Sequence, residues 1–234
     1  MPVHTLFDLL AAAASALVTA GVYLWRLKGT DRDPERRLSS AYVAALIAGS
    51  VVGAYGFGTA NLALTGIPAI GRSIAGSLAG AIFTVEVYKR IAGIKGSTGL
   101  LFVAGFATTV AVGRIGCLLA GLDDHTYGIA TGGSWGWDFG DGIPRHPVAL
   151  YESLTMAAFL AYALLAFARR DAFFMANGFY LLVIVYAGQR FLWEFLKPYA
   201  AVLGPLNLFH LLCLALVAYG TLMLARGRGA RIGQ

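Results

Sequence analysis

Polar chemistry in this 234-residue chain is concentrated between Gly113 and Glu152, within a sequence that is otherwise 58% hydrophobic. The stretch opens on GRIGCLLAGLDDHTYG, passes through a Gly/Trp/Asp-rich segment and closes on PRHPVALYES. Arg114 interrupts one apolar run, and Arg145-His146-Pro147 stands at the start of the next. A further polar group follows in YAGQRFLWEFLKPY, where Arg190, Glu194 and Lys197 recur at i, i+4 and i+7 and so share one helical face. A guanidinium group presents planar donors that grip two oxygens of a phosphate at once. An arginine at membrane depth is costly unless it is paired or lines a wet cavity. Arg114 therefore reads either as a structural ion-pair partner or as an anion ligand. For Arg190 the two roles coexist, because a paired Glu194 can hold the arginine in one rotamer. His146 reads as a proton carrier, a donor to a headgroup, or an interfacial polar residue.

The elements that must position these residues are membrane helices. Only 13% of the chain is charged, against about 25% in a soluble domain, so the expected class is an all-α, polytopic membrane bundle. A span needs about 20 predominantly apolar residues. Seven stretches qualify, at 6–26, 41–62, 73–90, 99–121, 148–168, 174–196 and 205–225, the third being short and containing Glu86. No repeat or soluble domain interrupts them, so residues 1–234 are expected to form one transmembrane domain with an outer loop at 122–147.

The formal net charge of +6 reports orientation and not nucleic-acid binding. Thirteen of the eighteen Lys/Arg residues fall on one side of a seven-span arrangement: Arg26, Lys28, Arg32, Arg36, Arg37, Lys89, Arg90, Lys95, Arg169, Arg170, Arg226, Arg228 and Arg231. The positive-inside rule then puts the N-terminus outside and the C-terminus in the cytoplasm. The first span has no basic residues before it and carries Asp8, which fits a retained helix better than a cleaved signal peptide. Arg72, Arg114, Arg145, Arg190 and Lys197 are the remaining cations and define the candidate site.

Other features have plain explanations. Cys117 and Cys213 lie in apolar segments without metal-ligand spacing and read as small buried hydrophobes. Gly49/Gly53 and Gly76/Gly80 have the four-residue spacing that lets helices approach closely. Pro147 suits a first helical turn. Trp135 and Trp137 suit a headgroup layer. Asp138 and Asp141 suit hydrogen bonding within a glycine-rich turn. No metal site and no cofactor is expected.

Taken together, GRIG at 113–116, Tyr127-Gly128, RHPxxLYE at 145–152 and RxxxExxK at 190–197 resemble the prolipoprotein diacylglyceryl transferase family. Order and spacing agree over residues 40–225; the first span agrees in hydropathy. The resemblance implies a bacterial inner-membrane transferase with its site toward the outer leaflet. Such an enzyme moves a diacylglyceryl group from phosphatidylglycerol, or another anionic phospholipid, to a lipoprotein cysteine and releases glycerol phosphate. Arg114 and Arg190 then match the family's arginines, with Glu194 beside Arg190. Arg145, Tyr127, Gly116, Tyr151, Lys197 and Asp124 are expected to contact substrate. The chain departs from the family pattern on the acceptor side. Ala75-Gly76-Ser77 stands where the family has HGG, Cys117 and Ala120 stand for two asparagines, Asp123-Asp124-His125 shifts an acidic position, and Ala149 replaces a glutamine-like one. His146 and His125 are the expected substitutes for the missing histidine. Those departures keep open a transferase with a different acceptor, and a non-catalytic lipid-binding or transport protein on the same scaffold.

Overall fold

A computed structural model describes residues 2–30 and 38–232. Arg32, Arg36 and Arg37 lie outside the described residues, as do the side chains of Asp124, Arg228 and Arg231. The seven expected helical stretches are all helices: α1 (Pro2–Val22), α2 (Ser40–Leu64), α3 (Ile74–Ile91), α4 (Phe102–Ala120), α5 (Val148–Ala168), α6 (Ala172–Glu194) and α7 (Leu208–Ile232). A π turn, Tyr23–Leu27, extends α1. All but α3 are long and apolar enough to cross a membrane, which makes this a polytopic helical membrane protein with six candidate spans among the described residues.

Helix starts follow the expected chemistry. The hydroxyl of Ser39 accepts from Tyr42 N at 3.1 Å before α2, and that of Ser73 accepts from Gly76 N at 3.1 Å before α3. The carboxylate of Asp171 accepts from Phe174 N at 2.6 Å before α6. Each satisfies an amide that has no partner inside its helix. Pro147 falls at the N-cap of α5, one residue ahead of its first turn.

The basic end of α3 turns partly inward. Lys89 is 5% exposed, inside the last turn of α3, and donates to Glu86 Oε1 at 2.7 Å. Tyr219 Oη of α7 donates to the same oxygen at 2.9 Å. A carboxylate in so apolar a helix needs a cation and a donor, so Lys89 serves Glu86 in addition to any role in orientation.

The chain forms two compact units, Met1–Thr30 with Gly99–Pro198, and Asp31–Thr98 with Tyr199–Gln234. In the second unit α2 and α3 pack along a glycine seam. A Cβ on Gly49 would overlap the Gly80 carbonyl, and one on Gly53 would overlap that of Gly76. Backbone therefore meets backbone, as the sequence spacing predicts. Short strands β3 (Ala201–Leu203) and β4 (Leu206–Asn207) precede α7 in this unit.

In the first unit, α1, α4, α5 and α6 pack side by side. Gly116 of α4 lies against Phe7 of α1, where any side chain at 116 would overlap the phenylalanine, and Gly105 lies against Thr19. Ser153 of α5 donates to the Ala111 carbonyl of α4 at 2.5 Å. The segment between α4 and α5 contains a 3-10 turn (Gly121–Asp124) and an antiparallel ribbon of β1 (Trp137–Asp138) and β2 (Pro144–Arg145). It is tied to the chain after α6 by Ile129 N donating to Leu196 O at 2.7 Å.

The seam makes a direct prediction. Gly53→Ala is expected to lower the melting temperature of the detergent-solubilised protein, at an overpacking cost of about 1–3 kcal/mol. Gly56→Ala, where an added Cβ meets nothing within 4 Å, is expected to leave it unchanged or raise it. Equal shifts in a thermal-unfolding assay would contradict the packing account.

Candidate active site

At one end of the first unit, three helices deliver charge to a single point. Arg114 stands near the C-terminal end of α4, Glu152 near the start of α5, and Arg190 and Glu194 in the last turns of α6. The Glu152 carboxylate has no exposure to solvent. Its Oε2 pairs with Arg114 Nε, and its Oε1 lies 2.7 Å from Lys197 Nζ and 3.5 Å from Arg190 Nη1. Glu194 Oε2 lies 3.3 Å from Arg190 Nη2 and 3.8 Å from Lys197 Nζ. All five side chains are buried. Three cations face two carboxylates, so the cluster carries one positive charge in excess.

Withdrawing ions from water costs several kcal/mol each, which only close pairing offsets. The arrangement supplies that pairing and keeps the guanidinium planes fixed. The neighbouring Gln189 is also buried, and neither its amide oxygen nor its amide nitrogen has a hydrogen-bond partner among the described residues. A buried amide of this kind is suited to hydroxyl groups of a bound molecule.

Of the five candidate cations, Arg114, Arg190 and Lys197 converge. Lys197 does so from beyond the helix: α6 ends at Glu194, and Lys197 lies in the turn that follows, its amide donating to Glu194 O at 3.1 Å. The i+7 helical position is thus corrected, although the side chain still returns to Glu194. Glu152 is the residue the sequence analysis passed over as a candidate, and it touches more of the cluster than any other. Arg72 is exposed in the second unit, ahead of α3.

Arg145, Tyr127, His146 and Tyr151 form a separate group in and beside the loop. Arg145 donates to Asp141 Oδ2 at 2.7 Å, and its guanidinium carbon lies 5.1 Å from the Tyr127 ring centre. His146 Nδ1 is 3.4 Å from Tyr151 Oη, and the Tyr151 ring packs at 5.1 Å on Trp193 of α6. His125 closes the 3-10 turn with left-handed backbone (φ 53). Gly116 serves the approach of α1 to α4. Trp135 and Trp137 are exposed. Asp138 and Asp141 hold the turn as expected, Asp138 Oδ1 accepting from Gly140 N at 2.8 Å and Gly142 N at 3.0 Å.

A third group escaped sequence reasoning because its members are far apart in the chain. His4 Nδ1 lies 3.1 Å from Asp8 Oδ2, and His4 Nε2 lies 3.9 Å from Cys117 Sγ. Arg114 Nη1 donates to the same sulfur at 3.8 Å. Cys117 is buried and uncrosslinked as expected, but it has polar neighbours on two sides. The i, i+4 spacing of His4 and Asp8 was the available signal.

A family model described as prolipoprotein diacylglyceryl transferase matches residues 5–226. A phosphatidylglycerol–prolipoprotein diacylglyceryl transferase from Nitratidesulfovibrio vulgaris (strain DSM 19637 / Miyazaki F) is 34% identical over 172 residues, covering 70% of this chain and 63% of that protein. One of the same name from Methylococcus capsulatus (strain ATCC 33009 / NCIMB 11132 / Bath) is 30% identical over 171 residues, covering 69% and 63%. The match thus spans under two thirds of the length of these relatives. No solved structure matches. The chain belongs to the prolipoprotein diacylglyceryl transferase family. Its Ala75-Gly76-Ser77 segment lies in the first turn of α3, where Ala75 is fully buried and Gly76 forms part of the glycine seam.

Two outcomes follow. Glu152→Gln strands buried cations, and loss of such a partner costs about 3–5 kcal/mol; thermal unfolding should show a far larger loss than for Asp141→Asn. The second concerns pH. The hydrogen bond from Arg145, more than any other contact, holds the Asp141 carboxyl below the ordinary carboxylate range. A depressed folded value stabilises above the ordinary pKa of about 3.9 and loses that contribution as pH falls through the lowered value. Amide exchange across 137–145 should therefore quicken in that acid window, and Asp141→Asn should abolish the step.

Proposed function

We propose that this chain transfers a diacylglyceryl group from phosphatidylglycerol to the cysteine thiol of a lipoprotein precursor; phosphatidylglycerol and prolipoprotein are what the names of the two relatives above state for them. The observation that carries the reading is the fixed, buried cluster of Arg114, Arg190 and Lys197 around Glu152 and Glu194, with one positive charge left over for an anionic group.

In this reaction a thiolate attacks the lipid glyceryl carbon next to the phosphate. The new C–S bond forms as the C–O bond breaks, and the electron pair leaves with glycerol phosphate. Negative charge grows on the departing phosphate oxygens. Donors already aimed at that charge in a water-poor site lower the barrier without reorganising, typically by about 2.7–4 kcal/mol per donor. Arg114 and Arg190 take that role, Glu152 and Glu194 hold them in place, and Lys197 adds charge. Gln189 receives hydroxyls of the glycerol headgroup. Arg145, Tyr127 and Tyr151 line the approach of the anionic lipid, Trp135 and Trp137 sit at the headgroup layer, and His146, His125, Gly116 and Asp124 complete the surroundings. No nucleic acid takes part.

The same unit supports a reading of the arrangement in the membrane. Arg26 donates to the Ala168 carbonyl at 3.2 Å, so Arg26 lies at the same end as Arg169 and Arg170. Glu152, at the other end of α5, marks the charge cluster's end. The positive-inside rule then supports a cytoplasmic position for the Arg26 end and an outer-leaflet position for the cluster and the 122–147 loop. Counting α3 gives seven spans in a single transmembrane domain of a bacterial cytoplasmic membrane, N-terminus outside.

The test is transfer from labelled phosphatidylglycerol to a lipobox peptide by purified protein, with the thioether product identified by mass. Arg114→Ala and Arg190→Ala are each expected to lower kcat by about 100- to 1000-fold, and Gln189→Leu to raise KM for the lipid. Full turnover by both arginine variants would remove the phosphate grip.

A further inference from the structure

We propose that His4, oriented by Asp8, is the group that takes the proton from the acceptor thiol. This inference rests on the transferase reading above and adds to it the base that reading leaves unassigned. It starts from α1, whose N-terminal turn is brought against α4 because Gly116 leaves room for Phe7. That approach sets His4 one side chain away from the charge cluster: its Nε2 is 3.9 Å from Cys117 Sγ, which in turn lies 3.8 Å from Arg114 Nη1.

The other ring nitrogen determines what Nε2 can do. His4 Nδ1 lies 3.1 Å from Asp8 Oδ2, one helical turn further along α1. A carboxylate there favours the tautomer with the proton on Nδ1, which leaves the lone pair on Nε2, and it stabilises the imidazolium once formed. Base beside nucleophile and carboxylate behind base is the general arrangement for activating a weak nucleophile. His4 and Asp8 are partly exposed, at 22% and 43% of their side chains, so a substrate thiol can reach the imidazole. His146, by contrast, turns its Nδ1 toward the Tyr151 phenol.

Cys117 shows how a sulfur atom sits at this place, between an imidazole acceptor and a guanidinium donor. The same two neighbours suit a thiolate. In the proposed step the acceptor S–H proton passes to His4 Nε2, and the thiolate pair forms the C–S bond to the glyceryl carbon. The C–O bond breaks, its electrons leave with the glycerol phosphate held by the arginines, and the imidazolium afterwards returns its proton to water. No further reactant is needed.

A general base contributes about 100- to 10,000-fold, and only where a proton must be removed. Purified wild type and His4→Gln are therefore compared with two lipobox peptides, one carrying cysteine and one selenocysteine, whose selenol is already ionised at neutral pH. His4→Gln should lose at least about 100-fold in kcat with the cysteine peptide and less than about tenfold with the selenocysteine peptide. Asp8→Asn, which retains the imidazole, should show the same pattern with a smaller loss, and supplies the reading if His4→Gln does not fold. No loss, or equal losses with both peptides, overturns the role of His4 while leaving the transferase reading intact. Absence of lipid-dependent transfer by wild type to either peptide overturns both.

Discussion

One carboxylate with no access to water holds the charged end of the first unit together. Glu152 accepts from Lys197 and forms ion pairs with Arg114 and Arg190, and these come from the turn after α6, from α4 and from α6. Each cation alone would be prohibitively costly at that depth, and so would Glu152 without them. The cluster is thus a mutual constraint: helices α4, α5 and α6 must keep their ends in register for any of these charges to remain. The hydroxyl of Ser153, bound to the Ala111 carbonyl, fixes the α4–α5 register one residue from Glu152. On the reading proposed above, a phosphate would meet donors already held in place and one unbalanced positive charge, the condition under which electrostatics contributes most to catalysis.

Much of this was legible in the sequence. Hydropathy located the seven helices, all but the end of α7 to within a few residues, because each must bury or expose an apolar face over a fixed length. Cost arguments singled out Arg114, Arg190 and Lys197, since cations within apolar runs need partners. Glycine spacing foretold the α2–α3 seam. What the sequence concealed was pairing across distance. Glu152 follows RHP in a motif with no cation beside it on its own helix; only the fold shows that three cations turn toward it. His4, near the chain's beginning, and Cys117 lie over a hundred positions apart, and no local pattern joins them.

Lys89 shows a different limit. Counting charges placed it among the thirteen cations of one side, at the end of the 73–90 stretch. The carboxylate of Glu86 in α3 nonetheless draws it into the last helical turn, where Tyr219 completes the group. Charge counts along a membrane chain treat every lysine as free to face water, whereas an acidic residue one turn earlier can claim it.

The glycine seam of the second unit has a mechanical consequence. Where two helices meet largely through carbonyls and α-carbons, with the Thr84 hydroxyl bonded across to the Ala45 carbonyl, few rotamers at the contact can exchange, so the pair has few intermediate arrangements through which to slide or rotate. Helices α2 and α3 should therefore behave as one stiff lever.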